Sequence, residues 1–175
     1  MREVNMNSTN KAYYQKLRNK VEKYEYTIMS VVSNYPRSED HAAYCYTIGL
    51  SNYGLPEVML ADCDVGDIIK IADLLTGSKP LSQLRVGDVI HLDCGAFKSI
   101  ELLNGVKEQL TEQAREYFKM FRPDSPDFEL VYMGKADELG LYPDEKVFEE
   151  TEVVKQVFFK VNAARLAMSE TTTIQ

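Results

Sequence analysis

The chain has 175 residues, 45% of them hydrophobic and 27% charged, with a formal net charge of −7. That length predicts one domain over 1–175 with a core of its own, and the acidic balance argues against an extended nucleic-acid footprint, which needs a lysine or arginine face. Three cysteines without paired short spacing, no apolar run of about 18 residues and an N-terminus lacking a signal-peptide core predict a cytoplasmic protein with reduced thiols and no membrane partner.

In chain order, residues 1–7 read as a loose start. Ser8, Thr9 and Asn10 offer helix caps, and Tyr13, Leu17, Val21 and Tyr24 then recur at four, four and three residues, the period of one helix face. Tyr26, Ile28, Met29, Val31 and Val32 suit a strand. The polar stretch 34–40, with Pro36, is a turn, so the strand that follows over 42–49 is expected to pair antiparallel with the one before it. Within it Tyr44, Tyr46 and Ile48 share one face and Cys45 and Thr47 the other, and Gly49 marks a bend or a close approach. A Gly/Asn/Pro turn and a second short strand come next.

Val65, Ile68, Ile69, Ala72 and Leu75 form a helical stripe with acids at its start, Gly77 as the expected C-terminal cap and Pro80 as a stop. A Gly87-Asp88 turn leads into a strand through Leu92, and 95–103 fits a further strand. Val106, Leu110, Ala114, Tyr117, Phe118 and Phe121 predict one amphipathic helix, ended by the Pro-rich run 122–127, after which 128–133 is again a strand. Residues 139–144 make a Gly/Pro loop. Val153, Val157, Val161, Ala164 and Met168 favour a terminal helix, a strand over 153–159 being the competing reading, and 169–175 is a loose tail. This order predicts an α+β fold: a single mixed, largely antiparallel sheet with packed helices.

The stretch Tyr46-Thr47-Ile48-Gly49-Leu50 followed by Gly54-Leu55-Pro56-Glu57-Val58 resembles an uncharacterised bacterial and phage family, domain of unknown function family 4262. A second match is Glu129-Leu130-Val131-Tyr132 with Gly140-Leu141-Tyr142-Pro143-Asp144. The resemblance spans about residues 24–146. It departs at Leu55, where members often carry histidine, and at Asp144, where tryptophan is usual. It implies the strand, turn and short-helix order over 44–75, and it implies no activity.

Chemistry is sparsely signalled. His41, beside Arg37, Glu39 and Asp40, reads as a ligand donor or general base at a pocket rim, or else as a solvated turn histidine. His91, Asp93 and Cys94, with Asp62, Cys63 or His41 as further donors, lack any recognised zinc spacing, so neither a metal nor a cofactor is expected. Glu57 is a carboxylate available for acid–base work, or a solvated or paired strand residue. Eleven tyrosines and no tryptophan stand out. Tyrosine faces stack on bases and their hydroxyls bind ribose or phosphate, while an arginine such as Arg37 or Arg85 supplies the charge. Together these residues predict a non-enzymatic small-ligand-binding domain with Arg37, His41, Tyr44, Tyr46, Thr47 and Glu57 around the ligand. The ligand class is a small nucleotide-like molecule, and the occurrence in phages of the family the chain resembles implies sequestration of a host immune messenger as one concrete form. The rivals are a hydrolase using His41, Glu57 or the His91/Asp93 pair, and an interaction module in which exposed tyrosines and the Val153–Met168 stripe bury a partner or, as a homo-oligomer, a second copy.

Overall fold

The computed structural model describes residues 8–32, 38–77, 84–102 and 104–144. The two tails, Arg37 and the Val153–Met168 stripe lie outside these residues. Six strands are formed among the described residues: β1 (Thr27–Val32), β2 (His41–Ile48), β3 (Glu57–Asp64), β4 (Val89–Leu92), β5 (Gly95–Glu101) and β6 (Leu130–Lys135). They make one sheet in the order β1-β2-β3-β6-β5-β4. Only β3 and β6 pair in parallel among the described strands; the other four pairings are antiparallel, giving the mixed, largely antiparallel sheet of an α+β fold.

The helices are α1 (Ser8–Tyr24), α2 (Val65–Thr76), α3 (Asn104–Leu110) and α4 (Glu112–Phe121). Strand alternation divides the sheet into two apolar faces. On one, Tyr46, Ile48, Met59 and Tyr132 pack with Tyr14, Leu17 and Val21 of α1 and with Ala114, Tyr117 and Phe118 of α4. On the other, Cys45, Val58, Leu60 and Val131 pack beneath Ile68, Ile71, Ala72 and Leu75 of α2. The sheet is thus covered on both sides. No described helix is long and apolar enough to cross a membrane.

Two expectations are corrected. The buried stripe of α1 is Tyr14, Leu17 and Val21, while Tyr13 and Tyr24 are 40% and 58% exposed. They sit at the border of the stripe, where Tyr13 only reaches across to the Met29 sulfur of β1. The single helix expected over 106–121 is two, because buried Thr111 (φ −121°, ψ 42°) turns the chain and bonds back to the Lys107 carbonyl through both its N–H and its hydroxyl. Gly77 caps α2 as expected, in an extended conformation.

Gly49 behaves as its position suggested. Its φ is +126°, and a Cβ there would lie 2.6 Å from the Glu25 carbonyl oxygen and 2.9 Å from Val21 Cγ1. Only glycine lets β2 pass under the end of α1 and turn into the 3-10 segment Leu50–Tyr53.

Candidate functional site

Two polar assemblies occupy opposite ends of the β2–β3 ladder. At the Ile48 end, Glu57 is fully buried, and its side chain gathers the turn that follows β2. Its Oε1 accepts from the Gly49 N–H (3.0 Å), the Ser51 N–H (3.0 Å) and the Ser51 hydroxyl (2.8 Å), while Oε2 accepts from the Thr47 hydroxyl (2.7 Å). Thr47 Oγ1 in turn accepts the Val58 N–H, and Ser51 Oγ accepts from Arg122 Nη1 at 3.1 Å. A buried carboxylate is tolerable only with such a complement of donors. The solvated reading of Glu57 is therefore overturned: this side chain is an internal strut that fixes the conformation of residues 49–51.

At the other end His41 is buried too, which overturns its reading as a solvated turn residue. Its Nε2 lies 2.7 Å from Asp62 Oδ1, both side chains being only 4% exposed. Its Nδ1 is buried without a hydrogen-bond partner among the described residues. The ladder is irregular here. Ala42 and Cys45, three residues apart, both face α2, and so do their cross-strand neighbours Cys63 and Leu60. The face of both strands slips between them, and Asp62 takes the strain with φ +49°, a conformation that costs a non-glycine residue about 1 kcal/mol.

Between these ends Tyr44 and Tyr46 stack with ring centres 6.4 Å apart, and the Tyr46 hydroxyl donates to Gln113 Oε1 of α4 at 2.6 Å. Burial raises both phenols. The structure brings Thr47 and Glu57 together, sets Tyr44 beside Tyr46, and places His41 apart with Asp62. The Cys45 and Cys63 thiols meet at 3.2 Å in the interior, where their mutual contact and burial push Cys63 well up, away from a reactive thiolate. Of the metal-like cluster, His91 is exposed and Asp93 is held by Lys70 at 2.8 Å, which lowers its carboxyl. Burial and Asp67 raise Cys94. No described group of three His, Cys, Asp or Glu side chains is arranged to hold a metal.

The concavity next to the Glu57 turn uses residues that the sequence did not single out for a site. A cleft of about 230 Å³ lies between α1, the 3-10 segment and α4, lined by Arg18 and Glu22, Asn52 and Tyr53, and Tyr117, Phe121 and Arg122. Arg18 rests its guanidinium 5.0 Å from the Phe121 ring centre and binds Glu22 through Nε at 2.7 Å. Its two Nη groups make no hydrogen bond to any described residue. Arg122 stacks on Phe118 at 4.7 Å and is otherwise taken up by the Ser51 hydroxyl and the Ser125 and Asp127 carbonyls. Burial raises the Tyr117 phenol, so the hydroxyl stays neutral at physiological pH. Tyr53 is 56% exposed. One sequence signal was available: Tyr117 and Phe121 belong to the apolar stripe of 106–121, and a stripe running directly into an arginine marks a helix end where aromatic and cation meet.

Comparison of the chain with protein-family models, with curated proteins and with solved structures finds no match.

Proposed function

We propose that the protein binds a small anionic molecule carrying a planar ring, with a nucleotide or nucleotide-derived signal as the favoured class, and that it binds without turnover. The observation that carries this reading is the convergence in one cleft of the uncommitted Nη donors of Arg18 with the rings of Tyr53, Tyr117 and Phe121, from three separate segments. Aromatic faces and edges select a ring, and a guanidinium pairs with a phosphate or carboxylate in two parallel hydrogen bonds. At about 230 Å³ the cleft falls below the range of about 300–1,000 Å³ usual for whole-ligand pockets, so it takes one end of such a molecule and leaves the remainder outside.

The Glu57 network supports the reading indirectly. By fixing Gly49 and Ser51 it orders the backbone that presents Asn52 and Tyr53 to the cleft, which removes an ordering cost from binding. The His41–Asp62 pair does not line the cleft, and this favours binding over hydrolysis. Sequestration of a nucleotide-derived messenger in the cytoplasm is the physiological form of the proposal. The resemblance of residues 46–58 to a bacterial and phage family would suit that setting, and membership of that family is itself a proposal.

Titration calorimetry against AMP, cyclic AMP and ADP-ribose tests it. Micromolar binding of one of them, lost in Arg18→Ala and weakened in Tyr53→Ala, is the expected outcome. Binding no tighter than millimolar across the panel, or affinity indifferent to both substitutions, ends the proposal. Release of a chemically altered ligand after long incubation would move the assignment to an enzyme.

A further inference from the structure

Among the described residues the sheet ends in β4 on one side and in β1 on the other, and the two edges are protected unequally. β4 is four residues long, and exposed Asp88, His91 and Asp93 lie beside or along it. Short, charged edges resist addition of a further strand. β1 is six residues long and reads Thr-Ile-Met-Ser-Val-Val, without a charge, and Val31 and Val32 are 37% and 78% exposed. Among the described residues only β2 pairs with it, so alternate residues turn N–H and C=O groups outward.

An open groove of about 380 Å³ accompanies this edge, walled by Lys20 and Tyr24 of α1, the start of β1, and Ile69 and Asp73 of α2. We propose that the groove and the free edge of β1 accept an added strand from a partner protein, an extended segment in which carboxylates alternate with apolar side chains. Consecutive residues of an added strand face opposite sides of the sheet, so each side of β1 selects one half of the pattern.

On the α1 side stand Lys16, Lys20 and Lys23, spaced four and three residues apart on one helix face, and none forms an ion pair with a described residue. Lys23 is held only over the Tyr24 ring, at 4.8 Å. α1 carries five cationic residues against the single acid Glu22, in a chain whose net charge is −7. This side therefore selects carboxylates. On the α2 side the groove presents Ile69, which is 40% exposed, beside Tyr26. This side selects apolar groups. The same lysines argue against a second copy of the chain as the occupant. A two-fold axis through β1 would bring the α1 helices of both copies together and set lysine against lysine.

Fluorescence anisotropy with a capped eight-residue peptide of alternating glutamate and valine tests this, with the lysine–valine peptide as control. Expected are binding of the acidic peptide alone, a loss of about tenfold or more in the double variant Lys16→Glu, Lys20→Glu, weakening with added salt, and slowed amide exchange over residues 27–32. All these substitutions are on the exposed face of α1, so the fold stays intact. Equal binding of both peptides, or indifference to the lysine changes, overturns the proposal. So do outward-facing β1 amides already slow to exchange in the free protein, whether it sediments as a monomer or as a dimer, because the edge is then occupied.

Discussion

The two ends of the β2–β3 ladder solve one problem to different degrees. Each buries an acid against the partner strand. Around Glu57 four donors meet the two carboxylate oxygens, and every conformational requirement, including the positive φ of Gly49, is met by a residue suited to it. Around His41 one ring nitrogen is held by Asp62, the other has no partner among the described residues, and the strained φ belongs to the aspartate. The saturated end adjoins the cleft. The difference teaches where this molecule spends its rigidity: on the turn that displays Asn52 and Tyr53, and less on the far end of the same strands.

If that is right, disruption should be graded along the ladder. Glu57→Ala strands four donors, those of Thr47 and Gly49 in the interior and those of Ser51 partly buried, and should cost about 3–5 kcal/mol, the cost of breaking a buried charged network. Denaturant melts measure this, and a loss under about 1 kcal/mol would show that water reaches the turn freely. Gly49→Ala should come next, at about 2–3 kcal/mol, since the new Cβ meets the backbone of Glu25 and the φ is unfavourable for any L side chain. His41→Gln should cost about 1–2 kcal/mol, because it loses one hydrogen bond and also removes the orphaned Nδ1. A His41 variant as damaging as Glu57→Ala would erase the contrast between the two ends. A ligand affinity that falls in Gly49→Ala while surviving His41→Gln would sharpen it.

The backbone half of this picture was legible in the sequence. Period-two alternation in residues 44–48 and the 3.6-residue period of 65–75 identify β2 and α2, because faces and stripes are local properties of a chain. The antiparallel β1–β2 pairing follows from the short polar sequence between them. Thr111 escaped because a buried threonine that bonds its own preceding turn leaves the apolar period of 106–121 intact. The site was less legible. Thr47 and Glu57 were named, yet the number of donors that converge on Glu57 depends on how Gly49 and the 3-10 segment turn, which no periodicity encodes. Arg18 and Arg122 are 104 positions apart in sequence, and their shared cleft exists only because α1 and α4 pack on one face of the sheet. His41 looked like a turn residue because Asp40 and Glu39 precede it, but the slip in both strands draws it inside.

The smallest effect lies between the two ends, at Tyr46, and it carries a pH signature. Burial raises the Tyr46 phenol far above its ordinary value of 10.0, with Tyr44 the next contributor. The folded chain therefore keeps this proton at a pH where the unfolded chain releases it. Stability from this group is complete below about pH 10 and declines above it, by about 1.4 kcal/mol per pH unit. Tyr46→Phe removes that decline together with the hydrogen bond to Gln113, which is worth about 1 kcal/mol. The native protein should accordingly be about 1 kcal/mol the more stable at pH 8, and the two should become equal near about pH 11. Urea melts of both proteins across that range measure the gap. A gap that stays constant would mean that Tyr46 ionises in the folded state as readily as in the unfolded chain, and that the α4 side of the sheet admits the water its packing excludes.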